Sequence, residues 1–271
     1  MNQQSLNRAI LNLVLLWALL AGYFAFTDLQ ISISLFDSFS GWAKFLEKFG
    51  EIPGLLVLYS GTFISLLHYL SGSNKFKFLL LPILLLVATF LSSYFVIVMY
   101  GRVTSNGSTV LEYKYYIGSI LLLLNLFAAY QLRNVKLEDR VLEYANKSVL
   151  LGFVGYLLFI QPLKLIWGRV RFRCLDLLYT NFTPWFLPNG ITGQQSFPSG
   201  HAAMAWMILP LLILLSNKSK TLRGALLLII IFWGTVVPIS RIVVGAHYPS
   251  DVLFGACIII LSYLMLYTKD Q

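Results

Sequence analysis

Charge is scarce in this chain. Asp, Glu, Lys and Arg together make up 11% of its 271 residues, against about a quarter in soluble domains. The mean hydropathy is +0.76. That shortage argues against a soluble enzyme and puts most of the chain in lipid. Cysteine is scarce too. Cys174 falls in a loop and Cys257 in an apolar run, so no metal-ligand spacing exists and a disulfide between them is not expected. The net charge of +9 does not signal a nucleic-acid partner. The basic residues sit in short loops beside apolar runs, which is the pattern of membrane topology. Neither a soluble domain nor an internal repeat is visible.

What the sequence does hold is a series of apolar runs, at 9–26, 52–70, 78–100, 115–132, 148–167, 199–215, 225–239 and 252–267. Each is near the twenty residues a bilayer requires, some a little short. The expectation is an all-α, polytopic transmembrane helix bundle of about eight spans, a single integral membrane domain over 1–271. A lone Arg8 precedes the first run, as in a signal peptide. No small-residue cleavage site follows, so a retained helix is expected. Between 28 and 51, Leu35, Phe39, Trp42, Phe45 and Leu46 recur at helical spacing, with Asp37, Lys44, Glu47 and Lys48 between them. This pattern predicts an amphipathic helix in the interface or a loop helix packed on the bundle. His68 has no acidic or cysteine neighbour and reads as structural. Asn106-Gly107-Ser108 is a sequon that matters only in a glycosylating host.

Eight spans put both termini on one side. That side receives Arg8, Lys75, Lys77, Arg133, Lys136, Arg140, Lys147, Lys218, Lys220, Arg223 and Lys269. The other receives Lys44, Lys48, Arg102 and Lys114, besides the basic residues near 164–173 and 241. The positive-inside rule then predicts cytoplasmic termini in the cell membrane. The polar ends of the last four runs share the extracytoplasmic side.

Three polar clusters meet there. Lys164 and Arg171, with Arg169 and Arg173 close by, suit a phosphate or diphosphate; the alternative is snorkelling to headgroups. Pro198-Ser199-Gly200-His201 opens a span. Ser199 is a good helix cap, and a helix start with Gly200 offers backbone N–H groups to an anion, with His201 beside it. The third cluster is Ser240 to Asp251, reading SRIVVGAHYPSD. Arg241 adds a cation. His247 and Asp251, four apart, share a helix face, so the carboxylate can take one ring proton and leave the other nitrogen bare as a nucleophile. The alternative is a juxtamembrane cluster that only anchors two helix ends. Together the clusters suit phosphoryl transfer without metal or cofactor. His247 would attack phosphorus. Lys164, Arg171, Ser199, Gly200 and Arg241 would hold the phosphate oxygens. His201 would protonate the leaving oxygen and then activate water.

These three parts resemble the signature of the type 2 phosphatidic acid phosphatase superfamily, over roughly 148–268. The resemblance implies a metal-independent phosphatase with those residue roles and a six-helix catalytic core. Two features depart from it. The first motif of the family usually ends Arg-Pro, and here Phe172 follows Arg171. Membrane members usually have six spans, so an additional N-terminal pair is expected. The superfamily also includes soluble vanadate haloperoxidases, which the hydrophobicity here argues against. The stretch NFTPWFLPNGITGQQSFPSGHAAMAW is similar to bacterial membrane phosphatases. The implied function is a lipid phosphatase, with undecaprenyl diphosphate, phosphatidylglycerol phosphate and phosphatidic acid as candidate substrates and an aromatic loop, 172–197, over the site. The alternatives are a lipid phosphotransferase and a non-enzymatic anion or lipid transporter. Beyond a lipid phosphate and membrane lipids no partner is implied, and oligomeric state stays open.

Overall fold

The computed structural model describes residues 3–71, 83, 86–91, 93–95 and 114–268. Among the described residues the secondary structure is helical, with no strands. In chain order they form α1 (Gln3–Leu35), α2 (Gly41–Phe49), α3 (Ile52–Ser71), α4 (Lys114–Leu132) and α5 (Asp139–Leu151), which runs on through a π-helical stretch (Gly152–Ile160) into α6 (Gln161–Trp167). After a long loop come α7 (Gly200–Trp206), α8 (Leu211–Leu214), α9 (Lys220–Val243) and α10 (Pro249–Thr268). Most of the expected span at 78–100, and the loop with its sequon, lie outside the described residues.

Five stretches are long and apolar enough to cross a membrane: Gln3–Leu35, Gly41–Ser71, Asp139–Cys174, Lys220–Val243 and Pro249–Leu266. Tyr116–Leu132 and Gly200–Leu214 are shorter. The expected span at 199–215 is interrupted after Trp206. Proline has no N–H, so Pro210 cannot donate to the Trp206 carbonyl, and the chain turns before resuming at Leu211. The first span is longer than its apolar run, because Asp28 and Ser32 are buried against protein and the helix passes through them. The amphipathic helix is α2 alone. It buries Ala43 and Leu46, and α3 follows it directly.

The interior is apolar. Leu151, Ile160, Met207, Ile230 and Ile259 are fully buried where α5, the π-helical stretch, α7, α9 and α10 meet. The outside is apolar as well. Leu19, Phe26, Phe127 and Leu228 are each well over half exposed, a surface that suits acyl chains rather than water. The helices alternate in direction. The end of α1, all of α2, the start of α3, the end of α6, the start of α7, the end of α9 and the start of α10 therefore gather at one end of the bundle.

Candidate active site

Lys164 stands on α6, and Gly168 ends that helix in the left-handed conformation, φ +53. A Cβ there would lie 2.1 Å from the Gly190 carbonyl oxygen. The turn sends Arg169 inward and Arg171 to the cavity. Ser199 caps α7, its Oγ accepting the Ala202 N–H at 3.3 Å. Its own N–H donates to the Asp251 carbonyl at 2.9 Å, which docks the start of α7 on α10. Gly255 permits that approach, since a Cβ on it would sit 2.3 Å from the Ser199 carbonyl oxygen.

A cavity of about 370 Å³ opens between these ends. Lys164, Arg171, Gly200, His201, Arg241 and His247 line it, as do Glu47, Glu51, Tyr156, Gln161, Arg173 and Gln195. Residues from all three sequence clusters are thus together. Ser199 and Asp251 lie behind the wall, fully buried. The Ser199 hydroxyl is engaged in capping. Asp251 faces the back of His247. Lys164 donates to the Gln195 carbonyl at 3.1 Å. Arg241 pairs with Glu47 at 3.1 Å, and Arg173 reaches the same carboxylate oxygen at 3.0 Å. Nε and Nη1 of Arg241 are buried with no hydrogen-bond partner among the described residues. Such donors suit the oxygens of an anion.

Asp251 is held from several sides. Oδ1 takes the Arg169 guanidinium at 2.6 Å. Oδ2 accepts from Ser196 Oγ at 2.6 Å and from the Tyr248 N–H at 2.9 Å. His247 Nδ1 is 3.5 Å from Oδ2, too long for a formed hydrogen bond but close enough for attraction. His247 Nε2 is left as the free nitrogen. Burial pushes the His247 pKa down to about 3, and Lys164 and Arg241 add to that, while Asp251 opposes it. A buried histidine loses the solvation of its charged form. The ring is therefore neutral near pH 7, the form a nucleophile needs.

Arg169 is the hub that sequence reasoning placed only among the nearby cations. It is fully buried, lies 4.0 Å over the Tyr248 ring, and donates to the Thr183 carbonyl at 2.8 Å. It also pairs with Asp28 of α1 at 2.9 Å. Asp28 in turn accepts the Ser250 N–H at 2.9 Å and the Ser250 hydroxyl. Removing one member of a buried ion pair typically costs about 3–5 kcal/mol. Asp28, Glu47 and Glu51 are the residues that sequence reasoning missed. A carboxylate in or beside an apolar segment is itself a signal of function or pairing, and Asp28 carried it. The aromatic loop packs beside the site rather than over it. Phe172 and Phe182 meet Tyr248, and Trp185 meets Phe254. Of the residues between 174 and 198, Gln195 is the one that lines the cavity.

This arrangement sets cations and unpaired N–H donors around a neutral histidine backed by a carboxylate, chemistry suited to phosphoryl transfer. No solved structure matches the chain. Residues 146–271 match the family model of the PAP2 superfamily. The match supports a phosphatase or phosphotransferase type of function, since members of that superfamily are generally phosphatases. Lys164, Arg171, Ser199, Gly200, His201, Arg241, His247 and Asp251 all lie inside the matched stretch, and the match over residues 146–271 is consistent with a member of the PAP2 superfamily.

Proposed function

We propose that this protein is a membrane lipid phosphatase that works through a phosphohistidine on His247. The observation that carries the reading is the position of His247. It is buried to 2% exposure, with Asp251 at 3.5 Å from Nδ1 and the cavity bearing Lys164, Arg171 and Arg241 on its open side. In the reaction, His247 Nε2 attacks phosphorus and the leaving oxygen departs in line. The three cations and the backbone at Gly200 bind the remaining oxygens as charge builds. His201 protonates the leaving oxygen and then takes a proton from the attacking water. Metal independence is part of the proposal. It is supported by the cations Lys164, Arg171 and Arg241, which already neutralise the phosphate.

The site lies at the end of the bundle that the charge asymmetry assigns to the extracytoplasmic side. It is set among helices whose outer surfaces are apolar, which suits a headgroup presented at the membrane surface. The substrate class is a lipid phosphate or diphosphate. The test is phosphate release by purified protein in detergent with EDTA present. Undecaprenyl diphosphate, phosphatidylglycerol phosphate, phosphatidic acid and a water-soluble phosphoester are offered in parallel. Release from at least one lipid is expected, lost in His247→Ala and His201→Ala and strongly reduced in Asp251→Asn. Activity that survives in His247→Ala, or that EDTA removes and a divalent metal restores, overturns the mechanism.

A further inference from the structure

The family match begins at residue 146, yet the cavity contains two carboxylates from far upstream. Glu47 stands near the end of α2, and Glu51 at its junction with α3. Carboxylates compete with an anionic ligand for the same cations, so a pocket that only binds phosphate gains nothing from them. Glu47 is accounted for by its two arginines. Glu51 touches a different residue. Its Oε1 lies 3.0 Å from His201 Nδ1. The other ring nitrogen, Nε2, is 3.1 Å from the Glu47 carbonyl oxygen.

Both ring nitrogens thus face oxygens that only accept. A neutral imidazole has one N–H and satisfies one of them; the imidazolium satisfies both. Glu51 also sits at the reacting end of the cavity, 3.9 Å from where a Cβ on Gly200 would be, with Tyr156 at 3.3 Å and Lys164 at 3.4 Å nearer to that point.

We propose that Glu51 is a positioning residue for His201, holding it as the doubly protonated acid that the first half of the reaction consumes. The inference rests on the phosphohistidine reading above. In the first step the His247 Nε2 electron pair forms an N–P bond. The P–O bond to the leaving group breaks, its electron pair staying on oxygen, and the His201 Nε2 proton passes to that oxygen. The leaving oxygen takes the place of the Glu47 carbonyl as the acceptor of that N–H. His201 is then neutral, with Nδ1–H on Glu51 and Nε2 bare. In the second step a water oxygen forms a new P–O bond as N–P breaks, and the water proton goes to His201 Nε2. Inorganic phosphate leaves and the starting state returns. Glu51 stays ionised throughout.

The test separates this role from simple support of the fold. Full-length Glu51→Gln is compared with wild type on phosphatidic acid, whose alkoxide leaves poorly without a proton, and on p-nitrophenyl phosphate, whose phenolate leaves without one. General acid–base groups contribute roughly 10²–10⁴-fold. The expected result is a loss of about that size in phosphatidic acid turnover. The first-turnover burst of p-nitrophenol is nearly preserved, and phosphorylated His247 accumulates because water is no longer activated. His201→Ala should give the same dependence on leaving group. Equal losses on both substrates in the first turnover, or full phosphatidic acid activity, overturn the inference and leave the proposed function intact. Absence of release from any substrate by wild type overturns the proposed function instead. Should Glu51→Gln not yield folded protein, Glu51→Asp is read on the same pair, with a loss confined to phosphatidic acid expected.

Discussion

At 2% exposure, His247 has almost no water to solvate a positive ring. Burial is the main reason its pKa falls to about 3, and the cations across the cavity push the same way. The consequence has a definite sign. An unfolded histidine takes its proton near 6.5, so between 6.5 and 3 the unfolded chain holds more protons than the folded one. The contribution of His247 to stability is therefore complete above about 6.5 and is lost as the pH falls toward 3. Nitrogen-15 histidine spectra of the protein in detergent check this directly. At pH 5 the His247 ring is expected to remain neutral, where a free histidine is almost fully protonated. A charged ring at pH 6 would contradict the buried geometry.

At the scale of elements, the critical packing is α7 on α10. It brings Ser199 and Gly200 beside the turn that bears His247, and Gly255 has no room for a methyl group. Gly255→Ala is expected to force the two helices apart, at a cost typical of overpacking, about 1–3 kcal/mol. The expected readouts are a lower thermal midpoint in detergent and reduced turnover. Much at this scale could be read from the sequence. Apolar runs of span length marked the helices, and the cationic and histidine clusters marked the ends that converge. Ser199 announced a helix start because capping is a local effect. Other features were not legible. Periodicity identifies the polar face of α2 but not what that face meets, so Glu47 resembled an ordinary solvated side chain. Helix limits drifted where a tertiary partner neutralises a polar residue, as Asp28 shows in α1. The break before Leu211 was in plain sight as Pro210, inside a run whose hydropathy alone suggested continuity.

For the molecule as a whole, the site is not confined to the family-matched part. Glu47 and Glu51 line its cavity and Asp28 anchors its hub, and all three belong to α1–α3. A chain limited to residues 136–271 keeps every signature residue but leaves Arg169 with one of its two carboxylates. Its phosphate release in membranes is expected to be absent, and co-expression with a separate 1–135 piece is expected to restore it. Full activity from the shorter chain would show that the first helices are dispensable to the chemistry.

The buried link from Asp28 through Arg169 to Asp251 also bears on biogenesis. A ribosome makes α1 first and α10 last, so Asp28 enters the bilayer long before Arg169 and Ser250 exist to meet it. During that interval its carboxyl group must be protonated, or sheltered at the lipid boundary or by the insertion machinery, because an unpaired charge is poorly tolerated in hydrocarbon. The same link then closes across the nascent bundle only when the final helix docks. A chain that stops before the final helix can pair Asp28 with Arg169 but has neither Ser250 for Asp28 nor Asp251 for Arg169, so the completed site arrives with the last helix rather than growing in stages.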